Sequence, residues 1–145
     1  MINKIQLNDV RFYAYHGVDE QERVVGNRFV VDLEVSVDFS EAMTTDRLEH
    51  TINYAALYSV VQAEMLQPSK LLEHVAGRII AALLRTFPEI TAIGLKIAKQ
   101  VPPIGADLKE CAVVVEGSAE EFRAILPNTL VVADMLSATE ITAGF

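Results

Sequence analysis

The chain of 145 residues has a single cysteine, Cys111, so no intramolecular disulfide can form, and a reducing compartment is expected. It also lacks a long apolar run. The longest is "IIAALL", far short of the ~20 apolar residues that a membrane-crossing helix needs. The first ten residues, "MINKIQLNDV", carry charges where a secretory signal would place its apolar stretch. A cytoplasmic protein without membrane attachment is expected. Positive charge is scarce as well: 12 basic against 20 acidic residues leave a net charge of −8. Such a surface repels phosphate backbones and anionic lipid, which argues against nucleic acid or a membrane as partner.

Several catalytic signatures are missing too. Gly17, Gly26, Gly77, Gly94 and Gly105 stand singly, so no glycine-rich phosphate loop exists. There is no serine-centred nucleophile elbow. Cys111 lies inside an apolar run, "ECAVVVEG", and reads as a packing residue rather than a nucleophile. His16, His50 and His74 fall in separate elements with no HxH or HExxH spacing, so no metal site is expected.

What remains is patterned. With 51% hydrophobic and 22% charged residues, the composition suits one globular domain with a real core. Residues 2 to 15 read as a strand with a register break. Ile5 and Leu7 occupy odd positions and Val10, Phe12 and Ala14 even ones, so a bulge or turn is expected at Asn8 and Asp9. "HGVDEQERVVGN" reads as a polar loop. In "RFVVDLEVSVDF" the apolar side chains Phe29, Val31, Leu33, Val35, Val37 and Phe39 share one parity, which predicts a long antiparallel strand with one buried face.

Residues 40 to 50 form a polar connection. Leu57, Val60, Val61 and Met65 recur at helical spacing from about Tyr54 to Met65, with Asn53 as N-cap. A second helix, from about Leu71 to Thr86, carries the stripe Leu72, Val75, Ala76, Ile79 and Leu83. "TAIGLKIAK" and "ECAVVVEG" predict two more strands joined through Val101-Pro102-Pro103. Ser118 and Glu121 form a capping box for a last helix, Ala119 to Leu126. The order ββααββ indicates an α+β fold, an antiparallel four-stranded sheet with two helices on one face and a short C-terminal helical extension. So thin a sheet has exposed edges, and an oligomer that continues the sheet between subunits is expected.

Four polar residues interrupt this pattern. Lys99 falls on the buried parity with Leu95 and Ile97, just before the diproline. Partial burial disfavours an ammonium charge, and a lysine so placed is able to shuttle protons, whereas a snorkelling lysine would need no such role. Glu73 interrupts the apolar "LLEHVAGRII" near a helix start, where a carboxylate is also favoured by the helix dipole. Tyr54 opens the first long helix, and Glu22 lies in the charged "DEQER".

Taken together, "RFYAYHGVDEQERVVGNRFVVDLEV", "TINYAAL", "LLEHVAGRI" and "IAKQVPPI" resemble dihydroneopterin aldolase of the folate pathway, in order and spacing, from about Ile2 to Glu116. The resemblance implies the T-fold, or tunnelling fold, over residues 1–117, with residues 118–145 as an extension packed on the domain or assembly. It implies a homo-oligomer, an octamer of two stacked tetrameric rings with active sites between subunits. It places the catalytic lysine on Lys99 and the pterin-anchoring glutamate on Glu73, beside Leu72. Tyr54 and Glu22 fall on residues that bind substrate and manage protons. No metal and no organic cofactor is implied, because a dihydropterin's own C=N bond accepts the electrons of the retro-aldol step. Gln100 stands where the family commonly has proline, and Asn27 where it commonly has glutamine.

Two neighbouring readings use the same residues. Retro-aldol cleavage followed by readdition would epimerise the side chain at C2′. An epimerase of the pterin triphosphate would call for a basic cluster at the pocket mouth, which these loops lack. A pterin-binding protein without turnover would have no reason to keep all four polar residues.

Overall fold

The computed structural model describes residues 1–126. Its sheet holds four strands, β1 (Lys4–Ala14), β2 (Asn27–Ser36), β3 (Ala92–Lys99) and β4 (Cys111–Ser118), in the order β1-β2-β3-β4 with every pair antiparallel. The expected register break is present: the β1–β2 pairing shifts between Leu7 and Val10. Asp9 takes φ 57° there, and its N–H donates to Asp32 Oδ1 at 2.7 Å. The extra residue lets Ile5 and Leu7 and then Val10 and Phe12 all pack against the core despite their opposite parities.

Alternation holds most strictly in β2, where Phe29, Val31, Leu33 and Val35 are buried while Arg28, Val30, Asp32 and Glu34 face the other side. The strand ends at Ser36, earlier than the pattern through Phe39 suggests. Val37 is still buried and its N–H reaches the Asn3 carbonyl, and Phe39 is partly buried against the core. The apolar parity therefore outlasts the ladder.

Between β2 and β3 run a short helix α2 (Ala42–Thr45), a 3₁₀ turn (Leu48–His50), and the two long helices α3 (Tyr54–Met65) and α4 (Leu72–Thr86). Asn53 caps α3 as expected, its Oδ1 accepting from the Ala55 N–H at 2.9 Å. Leu57, Val61 and Met65 of α3 and Val75, Ala76, Ile79 and Leu83 of α4 turn inward onto the sheet. α3 lies against β1, and α4 against α3, β3 and β4.

Two readings need correction. The stretch taken as a polar loop contains a helix, α1 (Glu20–Val25), too short to show a helical apolar period. Cys111, expected to pack, is exposed, because β4 is the last strand of the sheet and its start is covered by nothing among the described residues. After β4, helix α5 (Ala119–Ile125) has both halves of its capping box and buries Ala119 and Phe122 against α4 and β4. The extension expected over 118–145 lies outside the described residues beyond 126. Among the described residues, no helix is long and apolar enough to cross a membrane.

Candidate active site

Lys99 ends β3 opposite Phe29 of β2, on the same side of the sheet as the buried Leu95 and Ile97. Its side chain is only 12% exposed, and its Nζ lies 5.8 Å from the centre of the Phe29 ring. An ammonium held there has lost most of its water, so it needs a compensating charge. Glu22 supplies it: Lys99 Nζ donates to Glu22 Oε1 at 2.7 Å, across 77 residues of sequence. This contact makes Lys99 more than a strand-end lysine reaching for solvent.

Glu22 is in turn held from its own side. Its second oxygen, Oε2, accepts from the Asp19 N–H at 3.2 Å at the start of α1. The hydrogen bond from Lys99 is the main reason its carboxyl sits below the usual carboxylate range, with burial opposing. Gly17 lies directly against this side chain, and any Cβ at that position would collide with Glu22. Arg23 closes the same turn by donating from Nη1 to the carbonyls of Gly17 at 2.7 Å and Val18 at 2.8 Å. Glycine is required here for close approach.

The connection that leads into α4 meets this loop, although the two lie 53 residues apart in sequence at His16 and Ser69. The Gly17 N–H donates to the Ser69 carbonyl at 3.0 Å, three residues before Leu72. Glu73, in the first turn of α4, is exposed, and Leu72 is half-buried against the core. Among the described residues Glu73 has no hydrogen bond or ion pair, and it stands in the first turn of the helix that follows this connection. Tyr54 is different. It is 69% exposed at the first position of α3 and makes no hydrogen bond with Lys99, Glu22 or Glu73 among the described residues. One chain thus joins Lys99 with Glu22 and sets Glu73 on an element tied to them, but gives Tyr54 no hydrogen bond to any of the three among the described residues.

The two departures from the resemblance find structural work. Asn27 Nδ2 donates to the Val101 carbonyl at 2.8 Å, holding the diproline loop to the start of β2. Gln100 donates its backbone N–H to the Arg28 carbonyl at 3.0 Å, which proline could not do, and its amide reaches Glu110 at 3.3 Å. The loop beside Lys99 is pinned by side chains here.

Sequence reasoning missed His16, Ser69 and Arg78. Ser69 is buried and its N–H donates to Nδ1 of His16, itself 1% exposed, at 3.1 Å. Parity and helical spacing carry no sign of such a pairing, since both residues sit in connections. Among the described residues, no group of three or more histidine, cysteine or acidic side chains is arranged to hold a metal ion.

A family model described as dihydroneopterin aldolase (FolB) matches residues 5–116. The dihydroneopterin aldolase of Bacillus subtilis is 40% identical over 113 residues, covering 77% of this chain and 94% of its own. That of Streptococcus pyogenes serotype M1 is 38% identical over 117 residues, covering 79% and 98%. The crystal structure of E. coli dihydroneopterin aldolase in complex with neopterin superposes with a TM-score of 0.72 at 22% identity, covering 79% of this chain and 98% of that one. It shares the fold, an α+β T-fold with a four-stranded antiparallel sheet. By the span of the family model and the identity to these curated relatives, the chain belongs to the dihydroneopterin aldolase family.

Proposed function

We propose that the lyase activity of this family, the dihydroneopterin aldolase step of folate biosynthesis, is carried out here by Lys99 with Glu22, on a pterin oriented by Glu73. The single observation that carries this reading is the 2.7 Å contact between Lys99 Nζ and Glu22 Oε1 in a largely desolvated setting. In the retro-aldol cleavage of 7,8-dihydroneopterin, a base takes the side-chain hydroxyl proton as the carbon–carbon bond breaks. The electron pair passes into the conjugated C=N bond of the dihydropterin. Glycolaldehyde leaves, and the ring intermediate is reprotonated to 6-hydroxymethyl-7,8-dihydropterin. Every step beyond the bond cleavage is a proton transfer, so paired acid and base groups suffice. Lys99 and Glu22, already sharing a hydrogen bond, are able to pass a proton between them and the substrate.

Glu73 suits the other end of the substrate. The 2-amino group and ring N–H of a pterin form a donor pair that one carboxylate accepts through two parallel hydrogen bonds. The carboxylate of Glu73, exposed and without a partner among the described residues, suits this role, with Leu72 beside it as apolar wall. A pterin ligand is further supported by the neopterin held in the E. coli enzyme.

Tyr54 is the argument for an assembled site. A tyrosine 69% exposed at a helix start serves the Lys99 site only if a neighbouring subunit brings it there. The edge strands β1 and β4 suit an extension of the sheet between subunits, as in a stack of two tetrameric rings. Cleavage and readdition on the other face would also give C2′ epimerisation with the same groups. The test is release of glycolaldehyde from 7,8-dihydroneopterin without added metal, by the wild type and by Lys99→Ala. Turnover of Lys99→Ala at the wild-type rate would remove Lys99 from the mechanism.

A further inference from the structure

The groups assigned above leave a buried polar cluster unexplained at the junction of the β1–α1 loop and the α3–α4 connection. Burying polar groups costs free energy unless each finds a partner. Ser69, 7% exposed, engages all of its own. Its N–H donates to His16 Nδ1 at 3.1 Å and its carbonyl accepts from the Gly17 N–H at 3.0 Å. Its Oγ accepts from Arg78 Nη2 at 3.0 Å and shares a 2.8 Å hydrogen bond with His74 Nδ1. Arg78 also fastens the end of α3, donating to the carbonyls of Glu64 at 2.9 Å and Gln67 at 2.8 Å and to Glu64 Oε1 at 3.1 Å.

This cluster touches the site from two directions. On one side, Gly17 follows His16 and packs against Glu22. The His16 ring meets Phe29 edge-on at 5.2 Å, and Phe29 is the ring beneath the Lys99 ammonium. On the other side, His74 and Arg78 belong to α4, whose first turn presents Glu73. We propose that His16 and Ser69 are positioning residues: their hydrogen bonds lock the loop carrying Glu22 to the start of α4, and so set the distance between the Lys99–Glu22 pair and Glu73. The proposal rests on the roles given above to those three residues. Reacting groups displaced by an ångström lose much of their effect, so a buried pin between two walls of one site bears directly on rate.

The chemistry of the pin dictates the variants. His16→Phe keeps the aromatic volume but leaves the Ser69 N–H buried without an acceptor. His16→Asn places an amide oxygen near the former Nδ1 and restores it. Ser69→Ala keeps both backbone hydrogen bonds and releases only His74 and Arg78. The assays are kcat and KM with 7,8-dihydroneopterin, neopterin affinity by fluorescence, and the melting temperature. The expected result for His16→Phe is at least about a tenfold loss in kcat/KM per folded site, from displacement of Glu22 against Glu73, with His16→Asn within about threefold of wild type. Ser69→Ala, which loosens the Glu73 side alone, raises KM and weakens neopterin binding with kcat nearly unchanged.

A purely structural cluster would lower the melting temperature and leave kcat and KM of the folded protein unchanged, and that overturns the proposal. Equal losses in His16→Phe and His16→Asn also overturn it. Should His16→Phe not fold, Ser69→Ala decides, and an unchanged KM is the overturning result. Lys99→Ala in the same series separates the two layers: its full activity would sink the site assignment, whereas its inactivity beside an unaffected His16→Phe sinks the positioning role alone.

Discussion

His16 makes acid stability a quantitative test of the fold around the site. The ring is 1% exposed, and its pKa is pushed down to about 4 from 6.5. Burial away from water is the largest cause, followed by the charge of Arg78. The closeness of the Met65 carbonyl opposes them, and Lys99 adds a smaller lowering. Because the folded protein takes up this proton only near pH 4 while the unfolded chain does so near 6.5, acidification through that interval charges the unfolded state first. Stability contributed by neutral His16 is complete above pH 6.5 and falls as the pH drops toward 4. The whole shift is worth roughly 3 kcal/mol, and solvent screening of the two cations trims it to about 2 kcal/mol. For a chain of this length that is a melting-temperature change of roughly 6–8 °C. His16→Asn keeps an acceptor for Ser69 but cannot titrate. Melts of wild type and His16→Asn at equal concentration, at pH 7 and pH 4.5, should therefore diverge, the wild type losing about 2 kcal/mol more. Comparison with the variant cancels the carboxylates, Glu22 included, that titrate in both proteins. Parallel curves would refute a buried neutral histidine at this position.

Three further outcomes follow from the geometry. Lys99→Ala should reduce turnover by about 10²- to 10⁴-fold with modest loss of neopterin affinity, whereas Glu73→Ala should chiefly weaken binding; equal effects of both on turnover alone would contradict the division of labour. Gly17→Ala should push Glu22 off Lys99, because the new Cβ meets the Glu22 side chain, and kcat should fall by more than about tenfold in steady-state assays. An unaffected kcat would show that Glu22 acts from more than one position. Asn53→Ala removes the cap on the Ala55 N–H and should cost about 1 kcal/mol in urea unfolding, and an unchanged midpoint would mean that the cap carries no stability.

The architecture was legible because each main element buries one face. Period-2 alternation named the inner side of β2, and period-3.6 stripes named the inner sides of α3 and α4. The parity switch at Asn8 and Asp9 announced the bulge, since only an inserted residue lets both halves of β1 face inward. The same logic failed for α1, six residues rich in charge with no buried side chain to reveal its period. It failed for Cys111 because alternation tells which side chains are apolar, not whether anything covers the strand that bears them.

The α+β order, the core, the unusual parity of Lys99 and, through four separated blocks, the family were all readable along the chain. Which of these residues meet depends on how the elements pack. Lys99 and Glu22 touch across 77 residues, and His16 and Ser69 across 53. Local periodicity records whether a side chain points inward, because burial is a property of one element against the whole core. The identity of a distant partner depends on how the elements dock, and a glycine at 17 and a serine at 69 acquire meaning only once that docking is known.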